Sequence, residues 1–441
     1  MHRPYPAPSW VRDLVIYEVN PRGFTSPAGS GDGSGSGTFR TLAERLPYLA
    51  RLGITGLWLA GYCQATDHFY GVWSVYATVR PDRIDPALGT PDDLRSLVEA
   101  AHAHGIRVFL DVISHGVLRD SPLVAEHRDW FSGESWGMAD YDYTNAEFRR
   151  WWADLWVSYV TDVGVDGYRV DISLQDPVLW DEVCERSAAA GREIVVFPEG
   201  LPRYHFCQGD SAAFSPDLGR DWEVDCTRIA TVQVSCHDGG WQSGPGNHYS
   251  VRGSRARFGG AALLSHRIPL FFGGEEFDAD QVSLPSLSRG LYGSGGPGGW
   301  LYGSQLRWEQ LDDPSKAAML ADVTALIRVR RDNSDLLNGD RLAGPVLAVP
   351  VSSTGLVPFL RYRPGDRAIL VAANETDEAM TMTIPVPVET IRLGAARYQV
   401  TDLVTGRTQS LSRAEIDQVS VTIGPDRQAG GGIRVLEIRP S

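Results

Sequence analysis

Four acidic residues close apolar runs in this chain: Asp111 in FLDVISHG, Asp171 in GYRVDI, Glu199 in VVFPEG and Asp238 in VSCHD. A carboxylate at the end of a buried strand is costly unless it is paired or working. Two carboxylates flanking a scissile bond carry out glycoside cleavage, one as nucleophile and one as proton donor. Arg169 lies two residues before Asp171, so on a strand both side chains point to the same side. A cation there holds Asp171 ionised, as a nucleophile requires. For any single acid, loop capping or a simple ion pair is the plain alternative. The repetition at successive run ends favours chemistry.

The elements that must position these acids alternate. Short apolar runs fall at 14–19, 54–61, 106–113, 165–172, 193–200, 232–236 and 268–277. Helix-period segments lie between them at 39–53, 91–105, 145–164, 177–191 and 252–266, with a further amphipathic helix at 316–331. That alternation predicts an α/β fold with a parallel sheet covered by helices. Acids at the C-terminal strand ends suit a (β/α)₈ (TIM) barrel, which builds its sites there. No GxGxxG follows the first strand, which argues against dinucleotide binding. The stretch 201–233 has room for little helix and reads as abbreviated. After about residue 340 the runs become short and alternating, predicting an all-β sandwich. The expected division is a catalytic barrel over 1–338 and a C-terminal β-sandwich over 339–441.

The bulk of the chain narrows the function. Its 441 residues exceed what one core normally serves. A net charge of −14 opposes binding to nucleic acid or to an anionic membrane surface. Five scattered cysteines without a CxxC pair form neither a disulfide framework nor a structural zinc site. The N-terminus MHRPYPAPSW lacks an apolar signal core, and no apolar run approaches the ~20 residues of a membrane span, so a cytoplasmic location is expected. Nothing in the sequence speaks to oligomeric state.

Several blocks together resemble the α-amylase family, glycoside hydrolase family 13. GYRVD at 167–171 is similar to the family's Gly-x-Arg-x-Asp block, FPEG carries Glu199, and His237-Asp238 resembles its His-Asp block. MADYDYTN (138–145), the segment 84–112 and IPLFFGGEEF (268–277) are also similar. The resemblance implies Asp171 as nucleophile, Glu199 as general acid/base and Asp238 as transition-state stabiliser. It also implies a small carbohydrate substrate, with Arg169, His237 and Asp111 contacting sugar or nucleophile.

The departures are specific. The family's first block, Asp-x-x-x-Asn-His, here reads Asp111-Val-Ile-Ser-His115-Gly116. Imidazole in place of the Asn argues against a family-type calcium site, since calcium prefers oxygen ligands. No metal or other cofactor is expected. His115 is a candidate replacement for the lost sugar contact. Val72 stands where the family stacks a Tyr, leaving Tyr70, Trp73 or Tyr76 as candidates for that duty. Ile172-Ser-Leu-Gln follows Asp171 instead of the Lys-His of starch-degrading members, and the segment 114–144 is too short for the family's usual extra domain. The expectation is a retaining hydrolase of short α-glucosides, its Asp171 and Glu199 carboxyls roughly 5–5.5 Å apart. Transglycosylase and sugar isomerase outcomes share that chemistry. A non-catalytic sugar-binding member and a metal-dependent hydrolase are the rivals; the latter lacks HxH and HExxH patterns.

Overall fold

The computed structural model describes residues 2–26, 35–66, 73–200, 203–208, 230–233, 237, 253–263, 267–280, 305–337, 346–349, 351 and 358–441. Asp238 and Tyr70 lie outside them.

Seven parallel strands form one curled sheet: β1 (Ile16–Val19), β2 (Gly56–Leu59), β3 (Arg107–Val112), β4 (Gly167–Val170), β5 (Val195–Pro198), β6 (Ala230–Gln233) and β7 (Arg267–Phe272). Their spatial order is β5-β4-β3-β2-β1-β7-β6, so the last strand pairs with the first. This wrap-around order is that of a (β/α)₈ barrel. Strands β1, β2, β4 and β5 are buried along their whole length, as expected for a sheet covered on both faces.

The two faces of each strand serve different ends. Outward residues such as Tyr17, Leu57, Leu59, Val108, Leu110, Tyr168 and Val196 join the helices in one large core. Inward residues Ile16, Trp58, Phe109, Val195, Phe197, Ile268 and Leu270 fill the barrel, which Val11 and Leu14 also line. One pleat period further along, the inward positions turn polar: Glu18 follows Ile16, Asp111 follows Phe109, Arg169 and Asp171 follow Gly167, and Glu199 follows Phe197. The register sets Asp111 directly opposite Arg169.

Helices cover the sheet at Pro91–Ala103, Ala146–Ser158, Pro177–Ala189, Arg255–Leu263 and Pro314–Asp332. A Thr90/Asp93 capping box opens the first, and Asn145 and Asp176 accept backbone N–H groups at the starts of the next two. The helix expected over 39–53 is two pieces, Phe39–Ala43 and Leu46–Leu52. Pro47 has no N–H to give to the preceding turn, so the helix restarts there. The 114–144 segment is compact: a short helix Pro122–Glu126 and a three-stranded antiparallel sheet of Gly116–Leu118, Met138–Tyr141 and Phe131–Ser135.

Beyond these, six antiparallel strands between Val346 and Pro440 form one sheet, and Met380–Ile384 pairs with Val419–Ile423 in a second. Leu370, Met382, Ile384, Val400, Val421 and Ile438 pack between them. A separate apolar cluster joins Ala262, Leu326 and Leu337 of the helices to Ile369, Val371 and Val435 of the larger sheet.

Gly167 opens β4 at φ +148°, and a Cβ there would stand 1.9 Å from the Val195 carbonyl oxygen. Gly105 also has positive φ (+72°) but open space around it. Gly105→Ala should therefore cost only left-handed strain, about 1–2 kcal/mol. Gly167→Ala should cost clearly more, because β4 and β5 must separate. Urea unfolding of both variants checks this, and equal losses would contradict it.

Candidate active site

The polar layer above the barrel core centres on one buried guanidinium. Arg169 Nη1 donates to Asp111 Oδ1 at 3.0 Å and to Asp171 Oδ1 at 2.7 Å. Its Nη2 lies 2.9 Å from Glu199 Oε2, and its Nε donates to Gln208 Oε1 at 2.9 Å. The planar fork also faces the Trp58 ring at 4.9 Å. Lys could not make such a set, since its ammonium is a single point of charge.

Around this centre the partners interlock. Trp58 Nε1 donates to Asp111 Oδ2 at 3.1 Å, and Tyr76 Oη donates to the same oxygen at 3.0 Å. Tyr76 Oη is also 3.1 Å from His237 Nε2, and the two rings stack with centroids 5.2 Å apart. The other imidazole nitrogen, Nδ1, is hydrogen-bonded to Glu18 Oε1. Asp111 is thus wholly buried and bonded on both oxygens, which makes it an orienting group that locks Arg169. Asp171 and Glu199 stand nearer solvent, at 10% and 38% side-chain exposure, and are the carboxyls a ligand can reach. Glu199 is further fixed by the Ile172 N–H, 3.0 Å from its Oε2. Ile172 holds φ +59° to aim that N–H.

Four carboxylates, counting Glu18, surround Arg169 and His237. Burial pushes the Asp171 carboxyl up to about 8, with Glu199 and Asp111 adding to the rise and Arg169 opposing it. Burial also raises Glu199, but Arg169, the Ile172 N–H and His237 outweigh it, so its net shift is downward. Glu18 and Asp111 are raised by burial against the pull of His237 and Arg169. A proton donor at Glu199 calls for a raised carboxyl there; the shifts run the other way, with Asp171 held up and Glu199 held down. The reason is geometric: Arg169 reaches both carboxyls, and Glu199 has the extra backbone donor. Carboxyls that share one guanidinium titrate as a pair and not as two independent groups.

The remaining candidates divide. His115 lies beside Asp171, its Nδ1 3.9 Å from Asp171 Oδ2, and burial lowers its pKa to about 4, leaving it neutral at pH 7. Trp73 does not belong to the cleft, correcting the sugar-stacking expectation. It is 3% exposed, its indole N–H bonds Asp85 Oδ2 at 2.5 Å, and Arg22 covers its ring at 5.0 Å. Its neighbour three places on, Tyr76, is the one that reaches the site. Glu18, Trp58 and Gln208 were missed. Glu18 closes the apolar run LVIYEV just as Asp111 closes its own, so the same criterion finds it. Trp58 and Gln208 carry no such signal. No group of three or more His, Cys, Asp or Glu suited to a metal ion occurs among the described residues. No helix among them is long and apolar enough to cross a membrane.

The fold is a (β/α)₈ barrel with an arginine-bridged set of carboxylates at its C-terminal strand ends, where such barrels place their sites. Residues 19–129 match the alpha amylase catalytic domain. The chain is 29% identical over 228 residues to the alpha-amylase MalA of Haloarcula japonica, covering 45% of this chain and 31% of that protein. It is 36% identical over 123 residues to the trehalose synthase/amylase TreS of Mycobacterium tuberculosis, covering 27% and 19%. A maltogenic alpha-amylase, AmyB of Thermotoga neapolitana, shares the fold with a TM-score of 0.72 at 17% identity, over 98% of this chain and 100% of that one. Over these stretches the chain is similar to the α-amylase family, glycoside hydrolase family 13. Its matched portion spans about a third of the length of the first curated relatives.

The raised Asp171 pKa has a stability consequence. Between the unfolded carboxyl value of ~3.9 and about 8, the folded protein keeps a proton that the unfolded chain has lost. Asp171 therefore costs stability increasingly as pH rises through that window. Asp171→Asn should melt above wild type at pH 8, with the gap closing towards pH 4. Parallel melting curves across that range would contradict the assignment.

Proposed function

We propose that this protein is a retaining α-glycoside hydrolase of short α-glucosides that works through a covalent glycosyl-enzyme. The observation that carries the reading is the seating of Asp171 and Glu199 on the two Nη atoms of one guanidinium, at the ends of adjacent strands. Such close carboxyls suit the ~5–5.5 Å of retention better than the ~6.5–9.5 Å that an inverting water needs. The names of its relatives, an alpha-amylase and a maltogenic amylase among them, agree with the substrate class.

Asp171 attacks the anomeric carbon while Glu199 protonates the leaving oxygen. Glu199 then takes a proton from the incoming acceptor as the ester is broken. One proton on the pair is the count this requires, carried by Glu199 when sugar is bound. The glycosidic oxygen can only accept a hydrogen bond, so its lone pairs beside Glu199 disfavour the ionised carboxylate and favour the protonated acid. Arg169 keeps its bonds to Asp111 and Asp171. Asp238 is assigned the stabilising role from the family's His-Asp block. His237, held by Glu18 and Tyr76, and His115 are assigned to sugar hydroxyls. The expected division into a barrel to residue 338 and a β-sandwich from 339 belongs to the same proposal.

Transfer to a sugar hydroxyl is the second reading, favoured by the similarity to a trehalose synthase/amylase. The two share every step up to the glycosyl-enzyme.

The test is turnover of α-linked disaccharides, trehalose, sucrose and aryl α-glucosides, with products resolved by chromatography. Wild type should release or transfer glucose with retained configuration. Asp171→Asn should fall to about 10⁻³ of wild type or less, as loss of covalent catalysis implies. Glu199→Gln should lose activity on poor leaving groups most. Near-normal turnover by Asp171→Asn, or an inverted product, would refute the assignment.

A further inference from the structure

The strand pair Phe131–Ser135 and Met138–Tyr141 is joined by two residues, Trp136 and Gly137, with Ser135 paired to Met138. Both loop residues have positive φ, +52° and +76°. That is a type I′ turn, whose first position favours Asn, Asp or Gly. A bulky aromatic there is an outlier that costs stability. Trp136 is nevertheless 67% exposed, so burial does not repay the strain. Backbone strain of this kind concentrates at ligand-binding sites.

The position of the indole indicates what the strain serves. The Trp136 and His115 rings meet edge to face, centroids 5.3 Å apart. His115 in turn sets Nδ1 3.9 Å from Asp171 Oδ2, and that buried Nδ1 has no hydrogen-bond partner among the described residues. The other ring nitrogen faces Met138 Sδ at 3.1 Å. An exposed aromatic ring thus touches the imidazole whose unsatisfied nitrogen faces the Asp171 carboxyl. The imidazole approaches it from Oδ2, whereas Arg169 bonds it at Oδ1.

We propose that Trp136 is a stacking platform for a pyranose ring on the donor side of the cleft, with His115 Nδ1 bonding a hydroxyl of the same sugar. This rests on the glycosidase reading and adds a specificity-determining pair to it. Aromatic faces pack on the apolar faces of sugars, while neutral imidazole pairs with hydroxyls. The Trp sits on the short 114–144 hairpin, so the chain supplies this contact from two loop residues. The leaving-group side, where Glu199 works, is untouched by it.

The experiment uses the full chain and three variants: Trp136→Asn, Trp136→Phe and His115→Ala. Melting temperature, maltose affinity by isothermal titration calorimetry, kcat/KM on an aryl α-glucoside and the transfer-to-hydrolysis ratio are measured for each. Trp136→Asn should melt at or above wild type, because Asn fits the turn, yet lose about tenfold in maltose affinity and kcat/KM. Trp136→Phe should recover most of that loss. The transfer-to-hydrolysis ratio should stay unchanged, since the acceptor side is not altered. Maltose should shield the wild-type protein from acrylamide quenching and fail to shield Trp136→Phe. A Trp136→Asn variant that binds and turns over normally overturns the platform and leaves the glycosidase reading standing. One that loses activity together with stability makes the Trp structural and also overturns it. A wild type that neither binds maltose nor cleaves any α-glucoside overturns both readings.

Discussion

A single buried guanidinium sets the geometry of this cleft. Arg169 divides its donors among Asp111, Asp171, Glu199 and Gln208, and its plane lies against Trp58. Burying an arginine is expensive unless every donor is used and the charge is compensated. Here compensation is excessive, with three carboxylates on one cation. Burial and the neighbouring carboxyls push the Asp171 carboxyl up against the pull of Arg169. The fold therefore penalises an ionised Asp171, the form that the proposed mechanism uses as nucleophile.

The barrel makes such a cluster possible through simple periodicity. Inward positions run from Ile16 to Glu18, from Phe109 to Asp111 and from Phe197 to Glu199, so the apolar plug ends and the polar layer begins within one pleat. The plug excludes water from below and lowers the local dielectric, which strengthens the ion pairs above it. Tyr76 and His237 extend the layer to Glu18 on the opposite strand. Each polar side chain is therefore oriented by a neighbour, and few depend on solvent for position.

The barrel was legible in the sequence because seven apolar runs carry the signal of buried parallel strands, and acids that close them are conspicuous. Asp111, Asp171 and Glu199 were found that way, and His115 by its departure from a family block. Glu18 met the same criterion but lacked a block to draw notice. Trp73 was misread because an aromatic near a cleft looks the same in sequence whether it stacks on sugar or fills a core; only its bond to Asp85 and its burial against Gly61 decide it. The hairpin at 131–141 was missed for a telling reason. Its turn places Trp where Asn is expected, so the local rule that would have revealed it is the rule it breaks.

The closure of the sheet bears on how the chain is made. Strand β7 pairs with β1, Tyr17 bonds Glu276 across 259 residues of sequence, and Glu18 meets His237 across 219. Ribosomal synthesis delivers β1 to β5 long before their closing partners. During that interval Glu18 has no imidazole and the edge of β1 has no mate, an exposed template of the kind that invites mispairing. Maturation of the cleft is accordingly a late and cooperative event, and a nascent chain arrested before β7 would present an open half-barrel to the cell's chaperones.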